Sequence, residues 1–365
     1  MIEQHVVEHA AAWFPGGAPR PRVRLRQLGS RPRALLYAVL IDDVPTPKVL
    51  AKVRRSQPVP ETGARTGGRP RLSGQPLSVS DLTALEYEGL CSIFTIFAAA
   101  GPGFGAVRPL AHLVSENTIL MEYVDAGTLR QMLVARSRLS RQSWSSRRED
   151  DRQVWRRAGA WLRTFQESMP TQGRPGRQAT REDVVDMFSA YGDFLTRRVG
   201  PGSLGDVAAR GAELAGAVLP GRLPLAVGHG DYAPRNVFLR GDGRLTVFDP
   251  MPRWAVPRHE DLCRFLVGMR LLGLQLHSHG AAYGRLELDR RENEVIRGYY
   301  GAEPVPVAEL RCYQLLIMLD KWSALVDTSS HAWRARLRTR SVRLATGYLR
   351  GEARRLLDLA GAGAQ

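Results

Sequence analysis

Residues 229–249 read HGDYAPRNVFLRGDGRLTVFD and form the most informative segment of the chain. It contains two short apolar runs joined at Gly241-Asp242-Gly243, a sequence typical of a β-hairpin turn. Asp231 and Asn236 lie in the polar segment before the first run, and Asp249 follows the second. The pattern therefore predicts a hairpin flanked by two carboxylates and one amide.

These three side chains suit magnesium-assisted phosphoryl transfer. One carboxylate orients a hydroxyl and accepts its proton, while an amide and a second carboxylate supply the hard oxygen ligands that Mg²⁺ prefers. A loop and the end of the returning strand are expected to direct all three into one cleft. A polar turn with capping aspartates is the alternative, but the joint spacing of Asp231, Asn236 and Asp249 favours the chemical interpretation.

The composition predicts a folded, water-soluble protein. With 365 residues, 44% of them hydrophobic and 24% charged, the chain is long enough for two lobes and excludes wholesale disorder or a multi-span membrane protein. The longest apolar run, residues 90–107, is interrupted by glycines and a proline, so no membrane span is expected. No secretory signal is recognised, and Cys91, Cys263 and Cys312 are far apart, which indicates reduced thiols and a cytoplasmic location.

The net charge of +16 first suggests a polyanionic partner such as a nucleic acid. The excess is almost entirely arginine, since the chain has 49 arginines and only three lysines, Lys48, Lys52 and Lys321. The arginines are scattered and few aromatic residues accompany the basic stretches, so no nucleic-acid partner is expected. In such a chain, a retained lysine indicates a place where an ammonium is required.

The order of periodic segments predicts an α+β protein. Three antiparallel strands are expected between Val23 and Val53, with Lys52 on the face opposite Val49 and Ala51. Residues 54–80 are polar and rich in glycine and proline, which predicts a mobile insertion before a helix that starts near Ser80. A hinge after the strand TILMEYV then separates a nucleotide-binding lobe, residues 1–125, from a helical lobe, residues 126–365, which carries the catalytic loop and acceptor site.

Taken together, Lys52, the segment before Asp125 and residues 229–261 resemble the aminoglycoside phosphotransferase and choline kinase family. This family is the small-molecule branch of the protein-kinase-like fold. The resemblance implies a small lobe with an antiparallel sheet and a larger, mainly helical lobe. It also implies ATP and Mg²⁺ as cofactors.

The resemblance gives each residue of the loop a role. Asp231 matches the catalytic base, Asn236 a magnesium ligand, and Asp249 the aspartate that bridges the metal and the nucleotide phosphates. His229 matches a structural residue that braces the loop. Asp261 matches an aspartate that opens the next helix and holds the loop down, although helix capping alone also explains a carboxylate there.

Lys52 stands where the family holds the nucleotide phosphates. Its helix partner is expected to be Glu86 or Glu88, and Glu86 is preferred because Leu90 and Ile93 follow it at helical spacings.

For the base, the resemblance assigns the Glu122 carbonyl and the Val124 amide to adenine, with Met121 behind them. Two departures favour a small-molecule kinase over a protein kinase. Gln27–Arg31 has one glycine in place of a Gly-rich loop, and Pro250 follows Asp249.

The sequence thus predicts an ATP- and Mg²⁺-dependent phosphotransferase that acts on a hydroxyl of a small molecule such as a sugar or an antibiotic. The cationic surface disfavours a polycationic aminoglycoside and favours a sugar-type acceptor. Arg235 is interpreted as a surface charge, with a contact to substrate or phosphate as the alternative. A catalytically inactive kinase-like scaffold and, less favoured, a basic nucleic-acid-binding protein are the rival functions.

Overall fold

A computed structural model describes residues 1–31, 33–42, 44–55, 68–72, 77–101, 103–139, 148–200, 205–327 and 335–362. The predicted mobile insertion, residues 54–80, lies mostly outside the described residues. The chain divides into two compact units. The first unit comprises Met1–Glu61, Pro76–Gly127 and Phe238–Pro252, and the second comprises Thr62–Gln75, Thr128–Val237 and Arg253–Gln365.

Eleven strands and eleven α-helices are formed by the described residues. The strands are β1 (Val23–Arg31), β2 (Ala34–Ile41), β3 (Val49–Arg54), β4 (Phe104–Ala106), β5 (Pro109–Leu113), β6 (Thr118–Glu122), β7 (Gly127–Thr128), β8 (Leu225–Val227), β9 (Val237–Leu239), β10 (Leu245–Val247) and β11 (Ala255–Pro257). The helices are α1 (Ile2–Trp13), α2 (Val79–Ala99), α3 (Leu129–Ala135), α4 (Arg148–Ser168), α5 (Arg181–Val199), α6 (Gly205–Val218), α7 (Glu260–Arg270), α8 (Gly273–His277), α9 (Arg285–Tyr300), α10 (Val307–Asp327) and α11 (Ala335–Ala362).

A five-stranded antiparallel sheet of order β1-β2-β3-β6-β5 forms the centre of the first unit. Because side chains alternate along a strand, Val49 and Ala51 of β3 are buried on one face with residues of α1, including Val6. Lys52 follows Ala51 directly and therefore points to the other face. The α+β class predicted from the sequence is confirmed, while the boundary after Asp125 stays a prediction.

Helix α2 brings Glu86 to the face of the sheet that carries Lys52. Ser78 caps the helix, since its side chain accepts a hydrogen bond from the Asp81 amide at 3.1 Å. By length and composition alone α2 is apolar enough to cross a membrane. However, it packs against β4, β5 and β6 and buries the Glu86 carboxylate, as a core helix of a folded unit does.

The predicted hairpin is present. Strands β9 and β10 pair within a second sheet of order β4-β10-β9-β7, in which β4 and β10 are parallel. The Arg240 amide donates to the Arg244 carbonyl at 3.0 Å across the turn, and Gly243 has a φ of +79°, which favours glycine. Asp249 therefore follows the end of β10, as expected from the sequence.

The second unit is mainly helical. Helices α4 and α9 cross at two glycines, because a Cβ atom at Gly159 or Gly298 would collide with backbone of the opposite helix. A further set of helical contacts joins α10 to α7, α5, α6 and α11. The basic, polar residues before Asp151 favour a loop by sequence, but α4 already begins at Arg148.

Candidate active site

The first unit holds a buried cluster of charges around Lys52. The Lys52 ammonium lies 2.7 Å from Glu86 Oε1 and also donates a hydrogen bond to Asp249 Oδ1. The Glu86 side chain is fully buried, whereas those of Lys52 and Asp249 are 12% and 19% exposed. Strand β3, helix α2 and the end of β10 thus bring together three of the predicted site residues, and place Glu88 on the exposed side of the helix.

Burial and the neighbouring charges act differently on each member of this cluster. Burial raises the pKa of Glu86 to about 7, because loss of hydration outweighs the attraction of Lys52. Loss of hydration also opposes the charged form of Asp249, but Lys52 outweighs it and holds the pKa of Asp249 well below its usual range. The pKa of Lys52 is raised, since Asp249 and Glu86 together overcome its desolvation.

Arg54 is a fourth member of the cluster that the sequence reasoning missed. Its Nε donates to Glu86 Oε2 at 3.0 Å, and its Nη2 binds the same oxygen. Residues two apart on a strand share a face, so Lys52 and Arg54 are neighbours on the side of the sheet that α2 covers. That period-two spacing was the available signal, and it places two cations on one glutamate.

The backbone around Asp249 is held in an unusual conformation. Asp249 has a φ of +66°, in the left-handed region that non-glycine residues rarely adopt. The chain after it packs tightly on α2, because a Cβ at Gly89 would lie 2.8 Å from Pro252 Cδ and 3.1 Å from Pro250 Cγ. Gly89 is about one turn beyond Glu86, so this close approach fixes Asp249 beside the glutamate.

The segment predicted to read adenine also lies in the first unit. Glu122 ends β6, its amide donates to the Arg108 carbonyl at 2.9 Å, and its side chain pairs with Arg240 at 2.9 Å. Val124 is buried, and its N–H donates to no other group of the described residues. An amide of this kind is suited to donate a hydrogen bond to a ligand.

In the second unit, the loop from His229 to Asn236 presents Asp231. The Asn236 side-chain amide donates to the Asp231 carbonyl at 2.8 Å and to Asp231 Oδ2 at 2.9 Å. Arg235 is exposed, as expected for a surface charge, and its Nη2 pairs with Asp231 Oδ1. A 3₁₀ turn at Pro234–Asn236 explains the approach, since it folds the chain back toward Asp231.

A group of buried aromatic rings packs against this loop. Tyr232 is fully buried, its ring lies parallel to Trp161 with centroids 5.5 Å apart, and its hydroxyl donates to the Ala158 carbonyl at 2.7 Å. The buried His229 ring meets Trp161 and Phe165 edge-on. His229 is therefore placed inside the helical core, where it is able to brace the loop.

Asp261 is tied to the same loop. Its carboxylate accepts hydrogen bonds from the amides of His229 and Gly230, the latter at 3.2 Å. Gly230 has a φ of +81°, so the turn that aims both amides at Asp261 favours glycine. Burial raises the pKa of Asp261 to about 7, and Glu260 adds to the effect. The capping residue of α7 is His259, not Asp261.

Each unit offers an oxygen donor of a kind that magnesium prefers. Both hydrogen bonds of the Asn236 side chain use its nitrogen, which leaves its amide oxygen available as a ligand. Asp249 supplies a carboxylate whose low pKa keeps it charged. Hard oxygen donors of this type are the ones that Mg²⁺ selects.

The sequence also suggests Trp254, Tyr313 and Trp322 as aromatic residues that could stack on an acceptor, but two of them belong to the core. Tyr313 is 1% exposed and Trp322 is fully buried. Trp254 is half-buried, and the Arg253 guanidinium lies 4.5 Å from its ring centroid. Within the described residues, Tyr313 and Trp322 therefore present no stacking surface to an acceptor.

Comparison with known proteins agrees with the resemblance noted in the sequence. The model of the family described as "Phosphotransferase enzyme family" matches residues 82–299, more than half of the chain. None of the curated proteins matches the sequence.

Three solved structures are similar in fold. A choline/ethanolamine kinase family protein from Mesorhizobium loti has a TM-score of 0.52 and 14% identity, covering 96% of this chain and all of that one. Spectinomycin phosphotransferase in complex with ADP and spectinomycin has a TM-score of 0.52 and 13% identity, covering 99% of this chain and 98% of that one. A glucosamine kinase has a TM-score of 0.52 and 17% identity, covering 93% and 78%. The predicted protein-kinase-like fold is confirmed.

Proposed function

Because the chain belongs to the phosphotransferase enzyme family, we propose that it transfers the γ-phosphoryl group of ATP, with Mg²⁺, to a hydroxyl of a small molecule. The proposed acceptor is a sugar or an antibiotic. The kinases of similar fold act on acceptors of these kinds, as the names spectinomycin phosphotransferase and glucosamine kinase state.

The proposal rests on one observation above all, the Lys52 ammonium buried between the Glu86 and Asp249 carboxylates. In a chain with 49 arginines and three lysines, a lysine at this position is informative. An ammonium is a compact charge that is able to exchange a carboxylate for phosphate oxygens. We assign Lys52 to the nucleotide phosphates and Glu86 to holding Lys52 in place.

Asp231 is assigned as the catalytic base. Its carboxylate accepts the proton of the acceptor hydroxyl, the acceptor oxygen forms a bond to the γ-phosphorus, and the bond from that phosphorus to the bridging oxygen of ADP breaks. The hydrogen bond from the Asn236 amide to Asp231 Oδ2 holds the carboxylate in one orientation. The hydrogen bonds that Asp261 accepts from His229 and Gly230 fix the backbone that carries it.

Asn236 and Asp249 are assigned as the magnesium ligands. When bound, Mg²⁺ neutralises charge that builds on the phosphate oxygens during transfer. Asp249 remains charged at neutral pH because Lys52 lowers its pKa. For the base, we assign the Glu122 carbonyl and the Val124 amide to adenine.

The experiment compares purified Asp231→Ala and Asp249→Ala with the parent chain. Mg·ATP binding is measured by calorimetry, and ADP release is measured with a panel of sugars, aminoglycosides, macrolides and amino alcohols. Asp231→Ala is expected to bind Mg·ATP and lose turnover, whereas Asp249→Ala is expected to bind Mg·ATP more weakly. The exposed Arg354 provides a control, Arg354→Gln, that removes a charge elsewhere.

Three outcomes separate the rival functions. Parent-level turnover in both aspartate variants contradicts the assignment. ATP binding without acceptor-stimulated ADP release points to an inactive scaffold. Retention of RNA or DNA at near-physiological salt, unaffected by ATP, supports a nucleic-acid partner instead. A cytoplasmic location is part of the proposal, and all three cysteines are free thiols, of which Cys263 and Cys312 are buried.

A further inference from the structure

Helix α1 carries a group of metal-binding side chains outside the proposed active site. His5 is three residues before Glu8 and four before His9, so all three lie on one side of the helix. One ligand atom from each, a ring nitrogen or a carboxylate oxygen, lies within 4.8 Å of those of the other two. Among the residues that the structure describes, no other three His, Cys, Asp or Glu side chains form such a group.

The two imidazole rings stack with their edges open to a ligand. They are nearly parallel, with centroids 4.1 Å apart and an angle of 20° between their planes. Nδ1 of His9 lies 2.9 Å from the His5 carbonyl oxygen, so this nitrogen carries a proton and donates it in a hydrogen bond. In the neutral ring the lone pair is therefore on Nε2. Hydrogen bonds of this kind fix the tautomer of metal-binding histidines.

The carboxylate beside the rings supplies a third ligand. The Gln4 side-chain amide donates to Glu8 Oε1 at 3.1 Å, and Oε2 accepts no hydrogen bond from the described residues. Two imidazoles and one carboxylate form a ligand set that zinc uses, with water as the fourth ligand. The donors of a tetrahedral zinc ion are about 3.4 Å apart. Because Glu8 and His9 are exposed, small rotations of their side chains are sufficient to reach this distance.

The charges around this group favour a cation. Residues 1–19 contain neither lysine nor arginine, although the chain has 52 of them in 365 residues. The carboxylates of Glu8 and Glu116 both act on His5. Burial and the neighbouring His9 nevertheless lower the pKa of His5, so its ring is neutral at pH 7. A neutral imidazole is the form that binds a metal ion.

The position of α1 on the sheet gives a bound ion a structural effect. The helix packs on the five-stranded sheet through Val6 and Ala10, while His5 is half-buried and His9 is exposed. The Trp13 ring lies beside both imidazoles, with centroid distances of 5.9 Å to His5 and 5.8 Å to His9. An ion held by residues four apart would link two successive turns of this helix.

We propose that His5, Glu8 and His9 form a site for a divalent transition-metal ion of the zinc class, which cross-links two turns of α1. Imidazole nitrogens suit zinc, nickel and copper, whereas Mg²⁺ and Ca²⁺ select oxygen ligands. This site is therefore distinct in chemistry from the one assigned to Mg²⁺, and none of its residues is assigned to the nucleotide or the acceptor. Stacking of the two imidazoles against Trp13 without an ion is the alternative.

Calorimetric titration of the metal-stripped chain with Zn²⁺ tests the site. The chain is used without a histidine tag and without nucleotide, because both bind zinc. One Zn²⁺ is expected to bind at this site, with Ni²⁺ and Cu²⁺ competing for it and Mg²⁺ and Ca²⁺ failing to do so.

Substitution of each ligand assigns the binding to α1. His5→Ala, His9→Ala and Glu8→Gln are each expected to weaken zinc binding by at least about tenfold, since loss of even an outer hydrogen-bond partner costs that much. His277→Ala removes an exposed imidazole elsewhere and is the matched control. Glu8 and His9 are exposed, so their variants are expected to unfold at the same denaturant concentration as the parent.

Two further measurements locate the ion. Cu²⁺ quenches the fluorescence of a nearby indole, so Cu²⁺ is expected to quench Trp13, and Trp13→Phe is expected to remove that part of the quenching. Hydrogen exchange in Ile2–Trp13 is expected to slow by about tenfold at a free Zn²⁺ concentration of about ten times the Kd, because opening of the helix releases the ion. Exchange in α6, which contains no histidine, is expected to stay unchanged.

Several results would overturn the inference. Lack of zinc binding by the parent chain at about 1 mM Zn²⁺ supports ring stacking without an ion, and binding that survives both histidine substitutions places the ion elsewhere. Equal affinity for Mg²⁺ and Zn²⁺ contradicts ligation by nitrogen. Unchanged exchange in α1 at saturating Zn²⁺ contradicts the cross-link. None of these measurements depends on phosphotransfer, so the proposed function and this inference fail separately.

Discussion

Lys52 and Glu86 are 34 residues apart in the sequence, yet their ammonium and carboxylate lie 2.7 Å apart in the folded chain. The glutamate is fully buried, and Arg54 binds its second oxygen. The buried Glu86 carboxylate therefore holds the Lys52 and Arg54 side chains of β3 against α2. The position of Lys52 depends on that carboxylate as much as on β3.

Glu86→Gln is expected to weaken Mg·ATP binding by about tenfold, because a neutral amide holds Lys52 less firmly than a carboxylate does. Calorimetric titration with Mg·ATP measures the change. Glu88→Gln is the matched control, since Glu88 lies two residues away on the exposed side of the same helix. Equal affinities for the two variants would contradict the role of Glu86.

Asp261→Asn is expected to lower kcat by about tenfold to a hundredfold while Mg·ATP affinity stays unchanged. One of the two oxygens that hold the His229 and Gly230 amides is lost, and small displacements of a reacting group are costly. Steady-state kinetics and calorimetry measure the two quantities. Asp358→Asn, at an exposed aspartate of α11, controls for loss of a carboxylate. An unchanged kcat would remove Asp261 from the positioning of the loop.

Gly298→Ala is expected to reduce the free energy of unfolding by about 3 kcal/mol, since its methyl group would collide with the Arg156 carbonyl of α4. Gly216→Ala provides the comparison. Gly216 lies in α6, and a Cβ atom there would have no other atom within 4 Å, so alanine is expected to stabilise by up to about 1 kcal/mol. Chemical denaturation of both variants tests whether α4 and α9 need their close approach.

Glu292→Gln is expected to destabilise the protein by about 3 kcal/mol at pH 7, because it removes the buried carboxylate that Arg270 and Arg311 share. Arg270 keeps Asp289 and Glu352, whereas Arg311 loses its ion pair. Burial alone would raise the pKa of Glu292, but Arg270 and Arg311 outweigh it and hold that pKa at about 2. The folded-state pKa is thus below the unfolded value, so this stability is present above about pH 4.5 and is lost as the pH falls toward 2.

Denaturation curves at several pH values test this. The difference between the parent and Glu292→Gln is expected to shrink between about pH 4.5 and pH 2. Glu213→Gln, at an exposed glutamate, is expected to show no such trend. A difference that is constant with pH would show that the Glu292 carboxylate is not held in its charged form.

Local patterns in the sequence were sufficient for the strands and the hairpin. Alternation around Lys52 predicted which face of β3 it occupies, and the turn glycines predicted β9 and β10, with Asp249 following. Contacts that depend on tertiary approach had no such signal. The crossing of α4 and α9 at Gly159 and Gly298 is one example, because neither helix sequence indicates which other helix it packs against.

Side-chain pairing within the site was also only partly predictable. Arg54 was accessible in principle through its period-two spacing from Lys52. The pairing of Arg235 with Asp231 was not, because it depends on a 3₁₀ turn of three residues whose conformation the loop sequence does not specify.

Because the chain has only three lysines, the chemical environment of each one can be followed separately. Its three side-chain amines stand in different settings: Lys48 is 5.5 Å from the Phe14 ring centroid, Lys52 is bound by two carboxylates, and Lys321 has a lowered pKa and no ion pair with the described residues. Amine-selective labelling read by peptide mass spectrometry therefore reports on three distinct environments in one sample. Lys52, bound by two carboxylates, is expected to label slowly, which gives a baseline against which a compound that displaces those carboxylates can be located without an engineered probe.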